Sequence, residues 1–236
     1  MDLLSASTKL SPMTSSRKAK HNTLVGYYAQ RASEHERNYA RPERQEDLKC
    51  LRELVGNFFR DDDVLEIACR AGYWTEAITP FARSVFAIDR SESAVAMART
   101  KSYKGATVEF LKADAYALPK FDGLFTAGFG GFWWSHVPRA RLQEFLAEFH
   151  SHLAPGAKVA FIDSRYIQGR STPFVRVGVN GHADTYQMRT HRDGHVHKVL
   201  KNFPSPEELE ATISGLGDHI KVTLFDYHWL LTYRKI

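Results

Sequence analysis

The chain has 236 residues, 43% hydrophobic and 12% aromatic, long enough for one full core or one domain carrying an insert and a lid. Its formal net charge of +5 and its sequence pI near 9.1 permit nucleic-acid binding, but Lys and Arg are spread along the chain, and the short run Arg17-Lys18-Ala19-Lys20 reads as a solvated tail. Two cysteines, Cys50 and Cys69, suggest neither a disulfide framework nor a cysteine metal site; no apolar run reaches the length of a membrane span, residues 1–20 lack the apolar core of a secretory signal, and the expected location is the cytoplasm.

Residues 1–21 are rich in Ser, Thr and Lys and poor in aromatics, so a disordered N-terminal extension is expected, with a faint likeness to a transit peptide. Residues 22–236 are expected to form a single domain. Tyr28, Arg31, Ala32 and His35 fall on one helical face by the three-and-four spacing. Pro42 breaks that pattern, and Glu46–Phe59 reads as a second helix with Leu48, Leu51, Leu54, Val55 and Phe58 at core spacing. Asp61-Asp62-Asp63 reads as a solvated turn rather than a metal site, because adjacent acids alternate in direction.

The stretch Asp63–Asp89 then reads as strand, turn, helix, strand. A crossover between parallel strands is right-handed, so the carboxyl ends of both strands open onto one side of the sheet, where a doubly wound fold binds its ligand. Glu66 near the end of the first strand and Asp89 at the end of the second frame that crevice. A carboxylate in the position of Asp89 is suited to accept from two vicinal ribose hydroxyls, and Gly72 permits close backbone approach in the turn.

Further on, Ser91 is a plausible N-cap for a helix through Arg99, Thr107–Leu111 is the third strand, and 121–129 contains the fourth. The segment Gly128 to His136 would sit beside the crevice, its glycines admitting a ligand and its aromatics walling a pocket. Pro138 opens a helix through about His152, and Lys158–Asp163 is a fifth strand. Residues 165–203 read as an inserted hairpin around Arg192-Asp193-Gly194. His191, His195 and His197 alternate along it, with no cysteine or acidic set to make them a metal site. A short helix at Glu207–Ile213 precedes a strand-like end that either bends near Phe225-Asp226 or runs as one long strand.

The run Val64-Leu65-Glu66-Ile67-Ala68-Cys69-Arg70-Ala71-Gly72 resembles the first motif of class I S-adenosylmethionine-dependent methyltransferases, and motif order extends the resemblance over about residues 25–165. It implies an α/β, Rossmann-like doubly wound sheet of about seven strands, mostly parallel with an antiparallel C-terminal strand, an N-terminal helical lid (22–60) and the inserted hairpin. The implied cofactor is S-adenosylmethionine, with S-adenosylhomocysteine as product. By resemblance its contacts are Tyr28 on the lid, Glu66, Ala68, Arg70 and Gly72 in the turn, Asp89 and Arg90 after the second strand, Asp114 and Ala115 after the third, and Phe129 on the fourth.

Arg70 departs from the family, which commonly has glycine there. Its side chain either turns to solvent, meets a carboxylate bidentately, or weakens cofactor binding. His136 is the best candidate for a base that removes the acceptor's proton, with Tyr39 a second catalytic candidate; the alternative is a structural histidine. Tyr39, Trp133, Trp134, His136 and Tyr166 are the expected substrate contacts, although one tryptophan could equally be core, and the lid tyrosines could simply pack on the sheet. The partner expected is a small, aromatic or amine-bearing methyl acceptor, methylated on O or N, with no membrane and no nucleic acid; a homodimer is compatible. An RNA methyltransferase and a non-catalytic binding protein are the competing readings.

Overall fold

The computed structural model describes residues 39–177, 183–190 and 196–236. The expected extension at 1–21, most of the lid helix before Tyr39, and the hairpin tip at 191–195 lie outside the described residues. In chain order the strands are β1 Asp63–Ile67, β2 Ser84–Asp89, β3 Thr107–Lys112, β4 Phe125–Gly131, β5 Leu153–Ser164, β6 Phe174–Val177, β7 Asp184–Thr190, β8 Val196–Leu200, β9 Gly217–Leu224 and β10 His228–Lys235. The helices are α1 Gln45–Phe58, α2 Thr75–Ile78, α3 Glu92–Ala98, α4 Leu142–Ser151 and α5 Pro206–Ile213.

Seven strands make the main sheet in the order β3-β2-β1-β4-β5-β10-β9. The first five are parallel, and β10 runs antiparallel to both β5 and β9. Chain order reverses at β1, which lies between β2 and β4, so the gap beyond its carboxyl end is the topological switch point where such sheets accept ligands.

The strands read as near-continuous apolar runs because both faces are covered. Along β1 the side chains alternate: Val64 enters the core beneath α1, whereas Leu65 and Ile67 enter the one beneath α4 and α5. Helix α1 buries Leu48, Leu51 and Val55 at the three-and-four spacing. Leu54, expected in that core, is instead 43% exposed, one step round the helix from the buried stripe. Ser91 caps α3 by accepting from the Ala94 N–H, and α5 starts with a capping box between Ser205 and Glu208.

Two strand features differ from the sequence reading, and a third decides between the two courses it left open for the C-terminal segment. The insert is a three-stranded antiparallel sheet, β6-β7-β8, rather than a lone hairpin. Strand β5 begins at Leu153, with a bulge through Pro155 and Gly156 before regular pairing resumes at Lys158. The C-terminal segment bends at 225–227, closed by the Phe225 N–H donating to the His228 carbonyl at 2.9 Å, so a glycine-free connection joins β9 to β10. No described helix is long and apolar enough to cross a membrane.

The glycines of β4 serve packing rather than ligand approach. A Cβ on Gly128 would lie 2.5 Å from Phe149 Cζ and 2.9 Å from Leu153 Cδ1, and one on Gly131 would lie 2.5 Å from Trp74 Cδ1. Missing side chains here let aromatic rings sit directly on the strand. Gly128→Ala should therefore cost about 1–3 kcal/mol of stability by overpacking, read as a lower midpoint in urea unfolding with an unchanged m-value; an unchanged midpoint would show that Phe149 moves aside freely.

Candidate active site

The turn after β1 is built from alternating left-handed residues. Ala68 and Arg70 each have φ of 52°, and Gly72 has φ of 80°. Only glycine adopts such angles without penalty, so Ala68 and Arg70 each hold strain on the order of 1 kcal/mol. The turn is pinned at both ends: the Cys69 N–H donates to the Ile88 carbonyl at 2.9 Å and the Gly72 N–H to the Cys69 carbonyl at 2.9 Å.

Asp89 supplies the remaining restraint. Its Oδ2 accepts from the Arg70 N–H at 2.9 Å and its Oδ1 from the Ser91 N–H at 2.7 Å. A carboxylate oxygen carries about two acceptor sites, so the half-buried Asp89 retains one on each oxygen, side by side. That donor-free pair suits two vicinal hydroxyls.

Glu66 occupies a different environment. It is only 1% exposed and accepts from the Thr75 hydroxyl at 2.6 Å, beneath the turn rather than in the open crevice. Burial, opposed by the Thr75 hydrogen bond and reinforced by the charge of Asp89, pushes its carboxyl up to about 8. The two acids that frame the crevice in the sequence thus divide: Asp89 stays accessible, and Glu66 braces the turn against α2.

Arg70 does not turn out to solvent. Its half-buried side chain reaches across the crevice, with Nη2 donating to the Phe132 carbonyl just beyond β4 at 3.4 Å. Tyr39 lies beside this bridge, stacked on Tyr73 with ring centroids 3.7 Å apart and packed edge-on against Trp74 and Phe132. Tyr39 is 7% exposed, and burial raises its phenol above the usual range.

On the other side of Phe132 lies a buried polar network. Lys201 donates to Asp163 Oδ1 and to Ser135 Oγ, both at 2.6 Å, and the Ser135 N–H donates to Asp163 Oδ2 at 2.9 Å. Burial opposes ionisation of Asp163, but the Lys201 cation with its hydrogen bond, the Ser135 N–H and the charge His136 carries when protonated outweigh it and hold the carboxyl below its ordinary value. His136, half-buried, donates from Nδ1 to the Leu200 carbonyl at 2.8 Å. His228 is fully buried, donates from Nδ1 to Asp47 at 2.9 Å, and packs edge-on against Phe132.

The expected aromatic wall separates as well. Trp134 is 3% exposed and packs against Phe161 and Trp229, so it belongs to the core rather than to a pocket. Trp133 is half-buried against Tyr116 and Phe145. Tyr166 joins Phe174 and Phe203 in a cluster tying the end of β5 to the inserted sheet. Phe129 is wholly buried against Phe59 and Trp74, leaving only its backbone for a ligand.

Arg90 and Asp114 are exposed beside the ends of β2 and β3, where the Ala113 N–H donates to the Asp89 carbonyl at 3.1 Å, and Ala115 is buried. Tyr28 lies outside the described residues. Among the described residues no three His, Cys, Asp or Glu side chains gather as a metal site. Sequence reasoning missed the Asp163–Lys201–Ser135 network and the Asp47–His228 pair; an acid ending the apolar run of β5 was the only local sign of the first.

Comparison with known proteins agrees with this geometry. Residues 64–156 match the family model described as a methyltransferase domain. The solved structure of DhpI with SAH is 29% identical over 91% of this chain and 96% of that one, with a TM-score of 0.69, and the complex of DhpI with SAM and HEP is 30% identical over 90% and 96%, with a TM-score of 0.67. A demethylmenaquinone methyltransferase of Thermus thermophilus is 27% identical over 161 residues, 61% of this chain and 67% of that one.

The position of Glu66 has a measurable consequence. Its folded pKa lies above its unfolded value, so the native state binds the extra proton between the ordinary 4.5 and about 8, and stability must fall as pH rises across that window. Glu66→Gln keeps an acceptor for Thr75 and should flatten the decline in melting temperature between pH 5 and 8; an equally steep decline in the variant would place the titrating group elsewhere.

Proposed function

Since the chain belongs to the class I S-adenosylmethionine-dependent methyltransferases, we propose that it methylates an O or N atom of a small molecule in the crevice beyond β1 and β4. The observation that carries this reading is Asp89, held by two backbone N–H groups at the switch point with one acceptor site left on each oxygen. Asp89 would hold the ribose hydroxyls of S-adenosylmethionine, and the left-handed turn from Ala68 to Gly72 would face the cofactor's methionine portion. When bound, that cofactor supplies an electrophilic methyl group on a sulfonium.

The chain's own work is then to position an acceptor, exclude water and take up a proton. Alignment of a nucleophile with a bound partner can supply on the order of 7 kcal/mol of barrier reduction. Tyr39 and Phe132, packed edge to face beside Arg70, wall the crevice against water. His136 would receive the proton of a hydroxyl or ammonium acceptor: with Nδ1–H committed to the Leu200 carbonyl, the neutral ring carries its basic lone pair on Nε2. Trp133 remains the tryptophan available to an acceptor.

The Arg70 substitution is compatible with this function, because its N–H still reaches Asp89 and its side chain stays clear of that bond.

Two measurements test the assignment. Asp89→Ala should weaken S-adenosylhomocysteine binding about 10- to 100-fold by calorimetry, the loss expected for a charge-assisted hydrogen-bonded pair; unchanged affinity would remove Asp89 from the ribose role. With a competent acceptor, His136→Ala should lower turnover by about 10²- to 10⁴-fold while leaving that affinity within twofold, and normal turnover would show that another group takes the proton.

A further inference from the structure

A cavity of about 430 Å³ is lined by Arg41, Glu43, Arg44, Arg170, Ser171 and Tyr227. Three guanidinium groups face one carboxylate, and that carboxylate is only loosely engaged: Glu43 lies 3.8 Å from Arg41, with both side chains nearly half exposed. Arg44 is the telling member. It is half-buried, its Nε is sealed from solvent without a hydrogen-bond partner, and burial together with the neighbouring Arg41 lowers its pKa against the opposing charges of Glu43 and Asp47. A desolvated cation without a hydrogen-bonded counter-charge is costly, and such groups are ordinarily paired.

Other lining groups also offer donors. Arg170 donates to the Tyr227 hydroxyl, and the guanidinium carbons of Arg44 and Arg170 each lie 5.9 Å from the centre of that ring. Ser171 Oγ accepts from the Ile167 N–H at 2.8 Å, which leaves its O–H to donate.

The cavity lies at the same edge of the sheet as the crevice. Tyr227 immediately precedes β10, whose first residue, His228, pairs with the last residue of β5 at the carboxyl edge of the sheet. The Tyr227 N–H and His228 Nδ1–H both donate to Asp47, and His228 packs on Phe132. Two residues before Arg41, Tyr39 stacks on Tyr73 at the end of the turn.

We propose that this arginine cavity binds an oxyanion carried by the methyl acceptor, so that the acceptor is a small phosphorylated or carboxylated molecule. Planar guanidiniums offer paired N–H donors matched to phosphate and carboxylate oxygens, and the volume suits a small metabolite. The proposal rests on the small-molecule methyltransferase reading above and narrows its acceptor.

The test uses the full chain, with inorganic phosphate and acetate as probes in calorimetry and S-adenosylhomocysteine affinity as the control. Phosphate or acetate should bind the wild type, and Arg44→Gln and Arg170→Gln should each weaken that binding at least tenfold while cofactor affinity stays within twofold. Arg44→Lys, which keeps the charge, should lose less than Arg44→Gln and guards against misfolding. Whichever probe binds tighter identifies the oxyanion as phosphoryl or carboxylate.

Absence of binding by both probes, or binding unchanged in both glutamine variants, overturns the proposal. So does tighter capture of a single-stranded oligonucleotide that the same variants abolish. In methyl-transfer assays, anionic metabolites should be methylated and their neutral esters should not; equal turnover of both would also overturn it. Loss of S-adenosylhomocysteine binding by the wild type would instead refute the methyltransferase reading beneath it.

Discussion

One carboxylate at the end of β2 joins two loops that would otherwise be independent. Asp89 accepts from the Arg70 N–H on the turn after β1 and from the Ser91 N–H at the cap of α3. Both bonds are charge-assisted, and each is stronger than a neutral pair. They matter because Ala68 and Arg70 sit at angles that L-residues avoid, so the turn would relax if nothing held it. The same oxygens keep acceptor capacity to spare, so the group that shapes the site is also the one proposed to hold the ribose.

Burial sets what each neighbouring acid can do. Glu66 and Asp89 lie on adjacent strands, yet strand alternation sends Glu66 under the turn to Thr75, whereas Asp89 ends its strand and stays half-open. Desolvation then favours the protonated form of Glu66 near neutrality. A neutral Glu66 adds no negative charge of its own beneath the crevice.

Much of this architecture was legible because its signals are local. The apolar run of β1, the acid ending β2, the Ser91 cap and the helix with Leu48, Leu51 and Val55 each follow from a few adjacent residues. What escaped depends on residues far apart in the chain. Nothing near Gly128 announces the ring of Phe149, nor near Trp134 the ring of Trp229. Strand β6 is four residues long and gains its pairing from β7, so its own sequence carries little pattern. The arginine cavity gathers positions 41, 44, 170, 171 and 227, a set that only the folded sheet edge defines. Arg70 escaped for another reason: glycine habit explains the backbone angle, but the carbonyl its side chain meets belongs to Phe132, beyond a different strand.

Phe132 explains how these parts act as one unit. Its own φ of 55° is strained, and the conformation is retained by its N–H donating to the Ile162 carbonyl at 2.7 Å. From there its carbonyl meets Arg70, and its ring meets Tyr39, Trp74, His228 and the Lys201 ammonium. Strain at such a residue persists only where the surroundings over-determine it. Here they do: a shift of Phe132 would disturb the turn beside Asp89, the Asp163–Lys201 pair and the Asp47–His228 link together. Methyl transfer depends on holding two reactants at fixed separation, and a single over-constrained ring between the turn and the buried polar network links the two.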